Sequence, residues 1–143
     1  MKCLFCKNNK NLLIKKHKYW TILLHPDQRY LGRSMVKLQR HIVDFFDTTE
    51  QEKAELFGIM KRLKGVLTDL FKPDLFNYAS FGNEVRHLHI HLIPRYKNKR
   101  VFKGIEFIDE RWGHNYSPYE KLKLSRLIFN KLREQIKQKL KYE

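Results

Sequence analysis

His87-Leu88-His89-Ile90-His91-Leu92-Ile93 is the stretch on which the architecture turns. Histidine and aliphatic residues alternate along it with a period of two, the period of a β-strand. As a strand it places three imidazoles on one face. Leu88, Ile90 and Leu92 share the other and can pack on a helix. The chain has seven histidines, and three of them fall within these five positions. Three readings of such a face are open. It is a surface strand with chance histidines, a zinc site built on i, i+2 spacing, or a nucleophilic centre. In the last, a neutral imidazole nitrogen attacks phosphorus while its other nitrogen donates to a fixed acceptor. A second imidazole then steadies phosphate oxygens or assists the leaving group.

Working outward, Leu75 to Phe81 reads as a strand ending at Gly82, and Pro94 closes the histidine strand. Before them, Thr49-Glu50-Gln51-Glu52 fits a capping box, with Thr49 as N-cap. Leu56, Met60, Leu63, Leu67 and Leu70 continue it at helical spacing until Pro73. Further upstream, Tyr19 to Leu24 and Ser34 to Leu38 read as strands, with Gly32 at a turn and His41 just past the second. A short strand is expected at Gly104–Ile108. Ser117-Pro118-Tyr119-Glu120 is a second capping signal, predicting a basic terminal helix over about 118–141. The result is an α+β order: about five strands, mainly antiparallel, and two main helices.

Composition sets the frame. The 143 residues suit one domain, with no linker or repeat to suggest a second. Lys and Arg outnumber Asp and Glu by 30 to 15, giving +15 with histidine neutral. Such charge suits an anionic substrate or partner. Lys7, Lys10, Lys15, Lys16 and Lys18 break up the start, so no signal core forms, and no apolar run reaches membrane-spanning length. The expectation is a soluble, cytoplasmic chain with no membrane partner and no organic cofactor. No P-loop or Rossmann glycine pattern offers another phosphate cradle. Lys121, Lys123, Arg126, Lys131, Arg133, Lys137, Lys139 and Lys141 make the last helix a candidate nucleic-acid face, though a solvated amphipathic helix explains them equally. Cys3-x-x-Cys6 is a redox pair, an incidental thiol pair or half of a tetrahedral metal site. With no strand ahead of it, the metal reading is favoured.

The alternating stretch resembles the histidine triad, His-φ-His-φ-His-φ-φ, of the HIT family. Pro94-Arg95, Gly82 and the segment Gly32 to His41 resemble it too, and the similarity runs from Cys3 to about Tyr96. The resemblance implies His89 as nucleophile and His91 as its phosphate-contacting partner. Gly82 and Asn83 would hold phosphate, Asn83 standing where a Gln is frequent. Arg33 stands where many members have His, and Glu84 where Ser or Thr is common, a carboxylate that would repel phosphate. Zinc-bearing relatives imply a structural zinc ion on Cys3, Cys6, His41 and His87. The implied activity is hydrolysis of adenosine polyphosphates, such as diadenosine polyphosphates, through a nucleotidyl-His89 intermediate. Phosphoramidate hydrolysis, nucleotidyl transfer including phosphorolysis, and a non-enzymatic nucleotide- or RNA-binding module are the alternatives. The short segment 77–83 is closer to the diadenosine polyphosphate hydrolase or phosphorylase-like branches. A homodimer is implied by the family alone. Of the remaining histidines, His17 is expected exposed among lysines and His25 at a plain turn. His114 is expected in a packed connection, with a lid over the site as the alternative.

Overall fold

The computed structural model describes residues 3–142; Met1, Lys2 and Glu143, part of the expected 1–143 unit, lie outside the described residues. Strands β1 (Leu13–Lys16), β2 (Trp20–Leu24), β3 (Ser34–Leu38), β4 (Leu75–Ala79) and β5 (His89–Arg95) form one antiparallel sheet in the order β1-β2-β3-β5-β4. Helix α1 (Glu50–Phe71) links β3 to β4. A separate hairpin, β6 (Arg100–Phe102) and β7 (Ile105–Phe107), follows β5, and helix α2 (Arg126–Lys141) comes last. The architecture is the α+β one that the pattern predicts.

The alternation in β5 sorts its side chains as expected. Ile90 and Leu92 enter the main core with Ile22, Leu24, Val36 and Leu38. Leu56, Ile59, Leu63, Val66 and Leu67 of α1 cover them. A fully buried side chain such as Leu63 stabilises the fold by about 1.5–3 kcal/mol. Leu132, Ile136 and Leu140 of α2 join that core, and α2 packs on α1 and β1. The imidazoles are left on the opposite face, beside a small buried cluster of Phe5, Leu23 and Met35. The register there sets Lys37 opposite His89, and Met35 opposite His91 on one side with Ala79 on the other.

The capping box forms as predicted. Glu52 N donates to Thr49 Oγ1 at 3.1 Å, and Thr49 N donates to Glu52 Oε1 at 2.8 Å. Glu52 also takes both arms of Arg40, each at 2.8 Å. The Arg40 guanidinium pulls the Glu52 carboxyl down to about 2. This pair ties the connection carrying His41 to the start of α1. At the turn before β3, Gly32 has φ +88°, and a Cβ there would come within 2.9 Å of Leu67 Cδ2. Only glycine fits, and the turn sets the place of Arg33.

Local signals misplace four boundaries. The last helix begins at Arg126, capped by Ser125 Oγ accepting from Ile128 N at 3.2 Å, and not at Ser117. The intervening backbone is held by β2–β3 connection residues instead. Gln28 N donates to Leu122 O, Leu122 N to Asp27 Oδ1, and Arg29 Nε to Glu120 O. Those tertiary bonds outcompete a weak helix start. Strand β5 begins two residues later than expected, at His89, and runs through Pro94 to Arg95. β3 pairs no further than Leu92, so Pro94 owes it no donor. β4 stops at Ala79 rather than Phe81, while β1 and β6 were not foreseen. β1 is short and half basic, and its strand character comes from pairing with β2.

Candidate active site and metal centre

His89 lies on β5, buried, with its ring 4.6 Å from that of Phe5. Its Nδ1 sits 2.7 Å from the carbonyl oxygen of His87. A carbonyl only accepts, so Nδ1 carries the proton and donates. The lone pair is therefore on Nε2. The ring of His91 stands 5.0 Å from that of His89, nearly perpendicular to it. Arg33 Nη2 donates to His91 Nδ1 at 3.3 Å, which puts the His91 proton on Nε2. Both rings line a cleft of about 1760 Å³. Gly82 and Asn83 line its rim, Gly82 at φ +65° and Asn83 exposed, with Glu84 beside them. Asn83 makes no hydrogen bond among the described residues.

His87, just before β5, meets a separate set of partners. Its Nε2 donates to Leu38 O at 2.5 Å, so the lone pair is on Nδ1. That atom is 3.1 Å from His41 Nδ1, 3.3 Å from Cys3 Sγ and 3.5 Å from Cys6 Sγ. All four ligand atoms lie within 4.8 Å of one another. Tetrahedral zinc with ordinary bond lengths has ligand–ligand edges of about 3.3–3.8 Å, so spacing and donor set fit a metal ion. The Leu38 carbonyl fixes the tautomer that such binding needs. Lys37 Nζ reinforces the arrangement by donating to Phe5 O at 2.5 Å, between the two cysteines.

A family model for the HIT domain matches residues 7–98, more than half of the chain. The chain belongs to the HIT domain family. Among curated relatives, a HIT-like protein of Mycoplasma genitalium is 30% identical over 50% of this chain and 54% of its own. The bis(5'-adenosyl)-triphosphatase of Dictyostelium discoideum is 30% identical over 63% of this chain and 66% of its own. The AP-4-A phosphorylase of Mycobacterium tuberculosis is 30% identical over 46% of this chain, which spans 36% of that protein. Among solved structures, a hypothetical histidine triad nucleotide-binding protein of Sulfolobus tokodaii superposes with TM-score 0.76 at 18% identity, covering 98% of this chain and 93% of that one.

The rest of this HIT chain's cleft was only partly legible. Arg33 is buried. Its Nη1 donates to Tyr119 Oη at 2.7 Å, and its guanidinium lies 5.2 Å from the Tyr116 ring centre. Its Nε has no hydrogen-bond partner among the described residues. These contacts are neutral groups, so a buried cation faces the cleft. His25, just past β2, lines the cleft, with its ring 5.6 Å from that of His91. His25 Nδ1 lies 3.0 Å from Asp27 N and 3.2 Å from Asp27 O. His114, Trp112 and Tyr116 form a cleft wall. His17 departs from expectation: it is half-buried, and its Nε2 has no hydrogen-bond partner among the described residues.

Arg95 holds that wall in place. Its Nε and Nη2 donate to the two oxygens of Asp109 at 2.7 and 3.0 Å. Nη1 donates to Asn77 Oδ1 and His114 O, and Nη2 also to Arg111 O. All five guanidinium N–H groups are thus used. The resemblance marked Arg95, but nothing in the sequence pointed to Asp109, 14 residues on.

Burial, with Arg33 second, pulls His91 down from 6.5 to about 3 and His25 to about 4. Both are neutral near pH 7. The unfolded chain takes up these protons below about pH 6.5 and the folded chain does not, so stability present above that pH is lost as pH falls. Thermal melts stepped from about pH 7.5 to about pH 4.5 should show a declining midpoint, shallower in His91→Gln. An unchanged midpoint across that window would refute the assignment.

Proposed function

We propose that this HIT protein is a nucleotidyl hydrolase acting on adenosine polyphosphates, with dinucleoside polyphosphates as the class. The observation that carries the proposal is the His89 tautomer: Nδ1–H donates to the His87 carbonyl, which leaves the Nε2 lone pair for phosphorus. In the first step Nε2 forms a P–N bond to the α-phosphorus. The P–O bond to the rest of the polyphosphate breaks, and its electron pair leaves on that oxygen. His91 donates from Nε2–H to a phosphate oxygen, while Arg33 and the Asn83–Gly82 rim meet the developing charge. Water then attacks phosphorus, the P–N bond breaks, its electron pair returns to Nε2, and the water proton passes to solvent. The overall +15 favours capture of the anionic substrate.

The names of the Dictyostelium and Mycobacterium relatives support the substrate class, although the chain spans only part of each. The deciding experiment is a turnover panel of diadenosine polyphosphates, adenosine phosphoramidate and UDP-sugars, with and without inorganic phosphate. Fastest phosphate-independent cleavage of the diadenosine compounds is expected. Phosphate-dependent release of nucleoside diphosphate replaces hydrolysis by phosphorolysis, and preference for the phosphoramidate overturns the class.

We assign Cys3, Cys6, His41 and His87 to a structural zinc ion, with two thiolates and two imidazoles filling its tetrahedron. It would clamp the first turn to the sheet beside His89 and takes no part in the chemistry. Purified protein should contain about one zinc per chain. Cys3→Ser and Cys6→Ser should lose it and melt lower, whereas His89→Ala should keep it. Equal zinc in all of them, measured by mass spectrometry of the metal, would remove the assignment. A homodimer is also part of the proposal: β4 is an unpaired sheet edge bearing the half-exposed Leu75 and Tyr78. Among the described residues no helix is long and apolar enough to cross a membrane, and a cytoplasmic location is part of the proposal.

A further inference from the structure

Beyond the triad, the cleft carries an aromatic wall whose chemistry the proposed hydrolysis does not use. Successive contacts of 3.3, 5.2 and 6.3 Å lead from His91 to Arg33, from Arg33 to the Tyr116 ring, and from Tyr116 to the Phe81 ring. Arg33 stands just before β3 and Phe81 just after β4, the two strands flanking β5. Tyr116 therefore bridges the cleft above β5. Its position is not accidental: Tyr30 Oη donates to its carbonyl at 2.5 Å, and Arg95 grips the two carbonyls at Arg111 and His114. Phe81, by contrast, is 57% exposed although it lines the cleft. A large apolar ring left uncovered beside a buried cation whose Nε is unpartnered suits a ligand that is both aromatic and anionic.

We propose that Phe81 and Tyr116 form a subsite for the base of the departing nucleotide, with Arg33 meeting the phosphates that connect it to the attacked one. This rests on the reading of the site as a nucleotidyl hydrolase. It adds that the enzyme recognises both ends of a dinucleoside polyphosphate. Phe5 stands against the rings of His89 and His87, whereas the wall reaches the triad through Arg33 beside His91, so the second base has its own surface. Stacking on an exposed aromatic ring is worth about 1–3 kcal/mol per base, a factor of roughly 5–150 in affinity.

Two measurements test it. The first is the ratio of kcat/KM for diadenosine tetraphosphate to that for the p-nitrophenyl ester of AMP, which shares the attacked nucleotide but lacks the second nucleoside. Phe81→Ala and Tyr116→Ala should each lower that ratio by about tenfold. Phe81 is exposed enough that its removal leaves the core intact. An unchanged ratio overturns the subsite, whether the absolute rates fall or not. The second is equilibrium binding to His89→Ala, which needs no turnover. Diadenosine tetraphosphate should bind about tenfold tighter than ATP, and Phe81→Ala in that background should abolish the difference. Equal affinities before Phe81 is removed overturn the subsite even if hydrolysis stands. Failure of hydrolysis with the affinity difference intact overturns the chemistry and leaves the subsite.

Discussion

His89→Ala should lose at least about 10⁴-fold in kcat on diadenosine polyphosphates while remaining folded. Neither of the other two triad histidines offers the same lone pair. His91 has its Nδ1 occupied by the Arg33 donor, which leaves its Nε2 protonated. His87 has its own Nδ1 among the metal-ligand atoms. The structural cost is modest: one hydrogen bond to His87 O and the ring contact with Phe5. Those losses amount to about 1–3 kcal/mol. Steady-state turnover checks the rate, and circular dichroism with zinc content checks the fold. Wild-type kcat in a folded His89→Ala protein would sink the covalent mechanism. A nucleotidyl adduct in intact mass spectra after an acid-free quench, present in the parent and absent from the variant, is the complementary expected result.

The largest stability effect is expected far from the nucleophile. Asp109→Asn keeps the shape of the side chain but removes the charge facing Arg95. Arg95 and Asp109 side chains are 2% and 0% exposed, so the guanidinium would be left buried with no anion. Breaking a buried pair in this way costs about 3–5 kcal/mol. Asp109 also accepts from Tyr96 N at 3.1 Å and Arg111 N at 3.0 Å, and the amide can serve only part of that set. Denaturant unfolding of the variant should show the loss directly. Because Arg95 holds the carbonyls of Arg111 and His114, the cleft wall should loosen first, raising KM before kcat changes. A stability loss under about 1 kcal/mol would mean that the pair contributes far less than its burial implies.

The parts of this protein readable from sequence are those whose cause is local. Alternation in β5 separates His89 and His91 from Ile90 and Leu92 because a strand turns successive side chains to opposite faces. The Thr49–Glu52 box marks the start of α1 because both partners lie within one turn. The second box, Ser117 to Glu120, has the same letters and no helix, since the loop residues Asp27, Gln28 and Arg29 claim its backbone from about ninety positions away. The resemblance selected Cys3, Cys6, His41 and His87, and the fold brings them together across separations of up to 84 residues.

Composition, period and spacing by themselves determined an α+β chain with an imidazole face, a Cys-x-x-Cys pair near its start and an excess of positive charge. Which imidazole nitrogen carries its proton was decided only in three dimensions, by carbonyls of His87 and Leu38 that no pattern of side chains encodes. The same holds for the cleft wall. Arg33, Tyr116, Tyr119, Arg95 and Asp109 have no common spacing, and their association appears only once β5 is threaded between β3 and β4. Local periodicity follows from backbone geometry within a few residues, whereas a buried cation's partners follow from the packing of the whole chain.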